Sequence, residues 1–300
     1  MSVDSNRTHQ SAAIETSLNY LLRAVEKPLS FTFALPPGIA QTTRKNDPHK
    51  VLIHDAWGIA DQLSLDKQGF TVIHHQSQVA NFYDPDEVKA VYYLEVEQLL
   101  KKQTGAVKVV IFDHVVRNAD KAKRKEDGAR EYANAVHNDY SLNSAPRRVT
   151  AFVPDQAAEL LKHRFAEINV WRAITGPIQQ FPLAICDAQS IDPKDAVATD
   201  LVYPNRVGET YGFTYNPAHR WYYFPRLRPS EAILLKCYDS KADGRARFTA
   251  HTSFQDPTSR PDAPARESIE VRALVFFAPE ATDAAVASKS QPTSSTLASA

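Results

Sequence analysis

Cysteine, methionine and glycine are scarce in this chain, with 2, 1 and 9 copies in 300 residues. The cysteines, Cys186 and Cys237, lie in apolar stretches without metal-ligand spacing, so they offer no disulfide framework and suit a reducing compartment as two small buried hydrophobes. The few glycines form no GxGxxG, GxxxxGK[ST] or GxSxG pattern, which argues against a common dinucleotide fold, a P-loop and an α/β-hydrolase nucleophile. Net charge is missing as well. Lys+Arg and Asp+Glu are each 35, so no global field draws the chain to nucleic acid or to an acidic membrane. No segment approaches bilayer length, and the N-terminal stretch carrying Asp4, Arg7, His9 and Glu15 lacks the apolar run of a secretory signal. These absences predict a cytoplasmic protein that binds neither nucleic acid nor membrane.

What is present is a chain that is 43% hydrophobic, enough to bury a full core in one domain. The expected organisation is a flexible N-terminus over 1–12, a single barrel domain over 13–279, and a disordered Ala/Ser/Thr-rich tail over 280–300. Helical spacing of Ile14, Leu18, Leu21, Leu22 and Val25 predicts a helix over 13–26. A second helix is punctuated by Asp84 as cap, Pro85 in its first turn and Gly105 at its end. A third is expected within 154–168, with Ala157, Leu160, Leu161 and Phe165 on one side. Early strands are expected at 30–35, 51–54, 69–75 and 107–116. Seven more follow at 170–174, 181–186, 211–215, 219–224, 232–238, 247–254 and 269–277. Helices early and strands late predict a mainly β fold with flanking helices, a double-stranded β-helix of the jelly-roll or cupin-like barrel type.

The chemistry is concentrated in His137-Asn138-Asp139, His251 and Arg266-Glu267-Ser268. On a strand, His137 and Asp139 project to the same side, and a histidine from a distant strand completes a set of two imidazoles and one carboxylate. That facial triad is associated with non-haem Fe(II) oxygenases. Arg266 and Ser268 again share a side, and a guanidinium with a hydroxyl suits the far carboxylate of a 2-oxoglutarate co-substrate. A His followed two positions later by an acidic residue arises about once by chance at this composition, so order and context carry the reading. Alternation places Arg266, Ser268, Glu270 and Arg272 on one face of the last strand and Ile269, Val271 and Ala273 on the other. Asp113-His114 is a poor metal pair, because adjacent strand residues face opposite ways. The basic segment 117–130 reads as a solvated helix face or loop, with a lid beside the triad as the alternative. His219, Trp221 and Tyr223 share one face, either core or pocket wall.

The blocks FDHVVRN (112–118), HNDYS (137–141), NVWRAITGP (169–177), YNPAHRWYYFP (215–225), KCYDS (236–240), AHTSFQDP (250–257) and RESIEVRALVFF (266–277) occur in the order of a known family. Over 31–277 the chain resembles the hydroxylase/desaturase family typified by the aspergillic-acid pathway oxygenase, which includes a component of bacterial cephamycin 7-methoxylation. Ala173 departs from the pattern, where relatives are expected to carry proline. The resemblance implies a non-haem iron oxygenase with His137, Asp139 and His251 as Fe(II) ligands. It implies 2-oxoglutarate and O2 as co-substrates, with Arg266 at the carboxylate, Ser268 beside it, and Arg272 and Arg247 as competitors. Arg117, Trp171, Tyr215 and Trp221 are expected near a small natural-product or amino-acid-derived substrate that is hydroxylated, desaturated or cyclised. A homodimer stays open. The rival expectation is a barrel that serves as an accessory or binding protein in a biosynthetic complex, and a zinc hydrolase lacks an obvious general base.

Overall fold

The computed structural model describes residues 13–279 apart from 125, 127 and 128. The expected flexible 1–12 and disordered 280–300 therefore lie outside the described residues. The strands are β1 Ile14–Leu21, β2 Leu29–Phe31, β3 Asn46–Asp55, β4 Phe70–His74 and β5 Lys108–Arg117. They continue as β6 His137–Asn138, β7 Phe165–Ala173, β8 Leu183–Cys186, β9 Ala196–Tyr203 and β10 Arg206–Phe213. The last four are β11 Trp221–Tyr223, β12 Glu231–Asp239, β13 His251–Ser253 and β14 Ser268–Phe276. A nine-stranded sheet runs β1-β3-β11-β8-β13-β6-β10-β9-β2, and a five-stranded sheet runs β4-β12-β7-β14-β5. The expected mainly β jelly-roll architecture is what the chain forms.

The three central strands of the five-stranded sheet, β12, β7 and β14, are buried along nearly their whole length. On β7, Phe165, Trp171 and Ala173 enter the central core between the sheets, while Ala166, Ile168 and Val170 face outward. There they meet Val96, Leu99 and Leu100 of the helix Tyr93–Thr104. That helical stretch begins as read from the sequence: Asp84 accepts hydrogen bonds from the amides of Asp86 and Glu87, and Pro85 opens the first turn. It ends at Gly105, whose φ of 72° is the left-handed conformation glycine adopts without a Cβ penalty. A third cluster, including Leu18, Tyr20, Phe213 and Trp221, covers the outer face of the nine-stranded sheet.

Three expectations are corrected. The segment 13–26 contains no helix among its elements: β1 pairs with β3 from Ile14↔Ile53 to Leu21↔Asn46. Ile14, Leu18 and Tyr20 also satisfy a period of two, and a partner strand decides between the periods; Leu22 and Val25 are left exposed. The helix within 154–168 stops earlier, as Pro154–Leu160, and Phe165 starts β7. Strand β9, which pairs with β10 along its whole length, has no counterpart among the expected strands. Its burial is only partial, and its residues do not alternate between apolar and polar, the pattern that marks a half-buried strand.

Candidate metal centre

Strands β6 and β13 are antiparallel neighbours, and His137 and His251 are register partners. Directly opposed residues put their side chains side by side, and the two imidazole rings lie 4.4 Å apart. Asp139 follows β6 immediately. One ligand atom from each of His137, Asp139 and His251 lies within 4.8 Å of the others. The triad read from the sequence is thus assembled by a strand pairing that joins two distant segments.

Each candidate ligand is in a protonation state suited to chelation. His137 Nδ1 lies 2.7 Å from the Ala135 carbonyl, as its donor, which leaves Nε2 toward Asp139 Oδ1 at 3.7 Å. Burial, reinforced by neighbouring His251, pushes the His137 imidazole down to about 4. Burial likewise lowers His251. Burial alone would raise the Asp139 carboxyl, but Arg272 first, then His251, His137 and the Asn169 amide, outweigh it and hold it below the ordinary carboxylate range. Two neutral imidazoles and one ionised carboxylate are the protonation states a divalent metal requires.

A cavity beside the triad is lined by Arg117, His137, Trp171, His251, Arg266 and Glu270, among others. Arg266 is 2% exposed. One of its terminal nitrogens donates to the Phe181 carbonyl. Its guanidinium carbon lies 4.1 Å from the centre of the Tyr132 ring and 5.5 Å from that of Trp171. Burial pushes the Arg266 guanidinium down to about 9. Its Nε has no hydrogen-bond partner, and neither does the buried Ser268 Oγ. Buried polar atoms left unpaired are costly. A carboxylate at Arg266 and Ser268 would satisfy them, and the clustered donors of His137, Asp139 and His251 suit a cation, so these residues fit the expected metal and co-substrate.

Other expected site residues divide between two faces. Arg117 and Trp171 line the cavity, and Arg117 donates to the Glu131 carbonyl at 2.6 Å. Tyr215 and Trp221 are not brought there. His251 pairs with Ile185, a central-core residue, whereas Trp221 pairs with Cys186, which faces the outer cluster. Trp221 donates to the Tyr20 hydroxyl at 2.7 Å, and Tyr215 stacks on His49 at 3.8 Å. The face shared by His219, Trp221 and Tyr223 is therefore core, as one of the two sequence readings had it.

Arg272 and Arg247 also prove to be committed elsewhere. Arg247 donates to the Asp239 carbonyl at 2.9 Å. Arg272 contacts Asp139, Asp113 and Glu270 at 3.1, 2.9 and 3.2 Å, which removes it from the competition for a co-substrate carboxylate. His114 does not join Asp113 in a metal site; its Nδ1 lies 2.8 Å from the Tyr93 hydroxyl. The basic segment contains the helix Ala119–Arg124, and Lys121 lies 3.5 Å above the Tyr83 ring. Sequence reasoning missed Asn169 and Tyr132, and placed Glu270 on the polar face of the last strand without giving it a role. For Asn169, the polar residues 167 and 169 within a largely apolar strand were the available signal.

Comparison with known proteins extends these observations. The family described as "Oxidoreductase/YMDC permease-like domain" matches residues 18–276. The hydroxylase/desaturase efuI of Hormonema carpetanum is 34% identical over 89% of this chain and 96% of its own. The Fe(II)/2-oxoglutarate-dependent dioxygenase nvfI of Aspergillus novofumigatus is 33% identical over 80% of this chain and 87% of its own. A solved structure of the iron and alpha-ketoglutarate-dependent endoperoxidase NvfI superposes with a TM-score of 0.81 at 29% identity, covering 88% of this chain and 98% of that one.

Proposed function

This chain belongs to the family of the fungal hydroxylase/desaturases and Fe(II)/2-oxoglutarate-dependent dioxygenases, and from that premise we propose that His137, Asp139 and His251 hold Fe(II) while Arg266, aided by Ser268, holds the far carboxylate of 2-oxoglutarate. The protein is an enzyme, a non-haem iron oxygenase of secondary metabolism that uses Fe(II), 2-oxoglutarate and O2 on a small molecule. The observation that carries the residue assignment is that His137 and His251 of the triad line one cavity with Arg266, whose Nε is buried without a partner.

When bound, the metal with its co-substrate and dioxygen supplies hydrogen abstraction from an unactivated carbon, coupled to oxidative decarboxylation of 2-oxoglutarate to succinate and carbon dioxide. The chain's own part is placement. The Ala135 carbonyl selects the His137 tautomer, and the buried Arg266 offers a charge that a carboxylate restores to balance. Trp171 and Arg117 form the substrate wall in this reading, and the position at which they hold the reacting carbon decides among hydroxylation, desaturation and ring closure. The rival accessory barrel has less in its favour: it has no use for three converged ligands and two depressed imidazoles.

Finer points belong to the same proposal. The narrower kinship with the aspergillic-acid pathway oxygenase and the cephamycin 7-methoxylation component rests on the seven sequence blocks. A single domain over 13–279 is supported by the central core shared by both sheets. A cytoplasmic site is supported by the two free buried cysteines. No helix among the described residues is long and apolar enough to cross a membrane. The balanced charge leaves no attraction for nucleic acid, and a homodimer is compatible with the reading.

The test is an anaerobic titration of metal-free protein with Fe(II) and then 2-oxoglutarate, following the weak visible charge-transfer band of the chelate. A band in the wild type that is lost in His251→Ala, and that needs far more 2-oxoglutarate in Arg266→Ala, is expected. No band and no bound iron overturns the assignment.

A further inference from the structure

Asp139, like His137, has its second donor atom already engaged by the protein. Its Oδ2 accepts from Asn169 Nδ2 at 2.8 Å and from Arg272 Nε at 3.1 Å, while Oδ1 faces His137 Nε2 at 3.7 Å. Asn169 and Arg272 are themselves cross-strand partners on β7 and β14. Both project into the barrel beneath the triad, on the opposite sheet from His137 and His251. The β14–β5 register slips after Arg272, where Asp113 pairs with Arg272 and Ile111 with Ala273, so Phe112 is the extra residue on β5. Such a bulge re-aims side chains locally. Here the register places Asp113 opposite Arg272 and within reach of its fork.

We infer that Asn169 and Arg272 are positioning residues that occupy Asp139 Oδ2, so that this carboxylate engages the metal through Oδ1 alone. The inference rests on the proposed ligand set and adds to it the coordination mode and the residues that impose it. Arg272 divides its three guanidinium nitrogens among three carboxylates: Nε to Asp139, Nη1 to Asp113 and Nη2 to Glu270. Glu270 also lines the cavity beside His137, and its tie to Arg272 draws this second carboxylate aside. A monodentate Asp139 with Glu270 held back leaves coordination positions free for co-substrate and dioxygen, whereas a bidentate Asp139 or an added Glu270 would take one of them. Outer partners of this kind orient metal ligands and typically set 10- to 100-fold in metal affinity, by rough estimate.

Charge and geometry predict opposite signs at Arg272. Removing a cation beside the site by itself strengthens attraction for a divalent ion; removing a positioning donor weakens it. The experiment titrates the metal-free full chain with Co(II), reading affinity by calorimetry and coordination by the visible d–d spectrum, for wild type, Asn169→Ala, Arg272→Lys and Arg272→Gln. Far-UV circular dichroism checks folding. Wild type is expected to bind one equivalent. Asn169→Ala, which changes no charge, is expected to bind about 10- to 100-fold more weakly. Arg272→Gln is expected to bind more weakly and with a changed spectrum, and Arg272→Lys, which keeps the charge but not the fork, to lie between it and wild type. If Arg272→Gln does not fold, Asn169→Ala decides alone. Unchanged affinity in Asn169→Ala, or tighter binding in Arg272→Gln with an unchanged spectrum, overturns the positioning role and leaves the ligand assignment standing. A wild type that binds no Co(II) overturns both.

Discussion

Beneath the triad, Asp139 Oδ2 has two donors and Arg272 satisfies three carboxylates; elsewhere in the interior, the Arg266 Nε and Ser268 Oγ are buried without partners. Both regions hold polar groups inside a β-barrel, where an unmade hydrogen bond costs about 1–3 kcal/mol. The difference lies in when each region is completed. The metal end is organised by the protein alone, through cross-strand pairs fixed on folding. In the proposed reading, the co-substrate end, at Arg266 and Ser268, keeps its donors for a group that arrives later. Phe181 marks the boundary: its carbonyl accepts from Arg266 while its own φ is 46°, an unusual left-handed conformation for a bulky residue.

The hardest blow to this contrast is His251→Ala, which removes a ligand and is expected to abolish stoichiometric iron, checked by metal analysis of the anaerobically loaded protein. Next comes a control on the outer face. Trp221→Ala, at a fully buried position, is expected to cost about 3–5 kcal/mol of stability in chemical denaturation while the folded protein keeps its iron stoichiometry; lost iron in a folded variant would place Trp221 at the site after all. Arg266→Ala is expected to retain iron but to weaken 2-oxoglutarate binding about 10- to 100-fold, from one charge-assisted contact. If it loses iron instead, the two ends are not separable.

The histidines sharpen the comparison through pH. Burial lowers His137 from an ordinary 6.5 to about 4 and also lowers His251. A group whose folded value lies below its unfolded one contributes stability that is present above the unfolded value and lost as pH falls. Metal-free protein should therefore lose stability between about pH 6.5 and 4, each histidine adding a slope of up to about 1.4 kcal/mol per unit. Thermal melts across that window, with His137→Ala flattening the dependence, provide the check. The smallest effect is expected from Ser268→Ala, about a 3- to 10-fold loss in 2-oxoglutarate affinity from one hydrogen bond.

The residues that sequence reasoning located best were those whose signal is local. His137 and Asp139 are two positions apart, and the alternation of Ser268, Glu270 and Arg272 on β14 holds in the structure, with Ile269, Val271 and Ala273 packed in the cluster under the helix Tyr93–Thr104. The helix ending at Gly105 carried its own cap and stop. Errors arose where two periods fit one segment, as in β1, or where a face had no label, as with Trp221 and Tyr215. An aromatic strand looks the same from the sequence whether it points into a cavity or out to a covering layer.

Taken alone, the sequence determined the donor set, its order along the chain, the mainly β class and the polar stripe of the last strand, because residue type and local alternation are written in consecutive positions. Folding added that His251 lies opposite His137, that Asn169 and Arg272 converge on one oxygen of Asp139, and that Arg266 rather than Arg272 faces the cavity unencumbered at Nε. Those outcomes depend on strand register between distant segments, and register is set by the joint packing of two sheets rather than by any one stretch of chain.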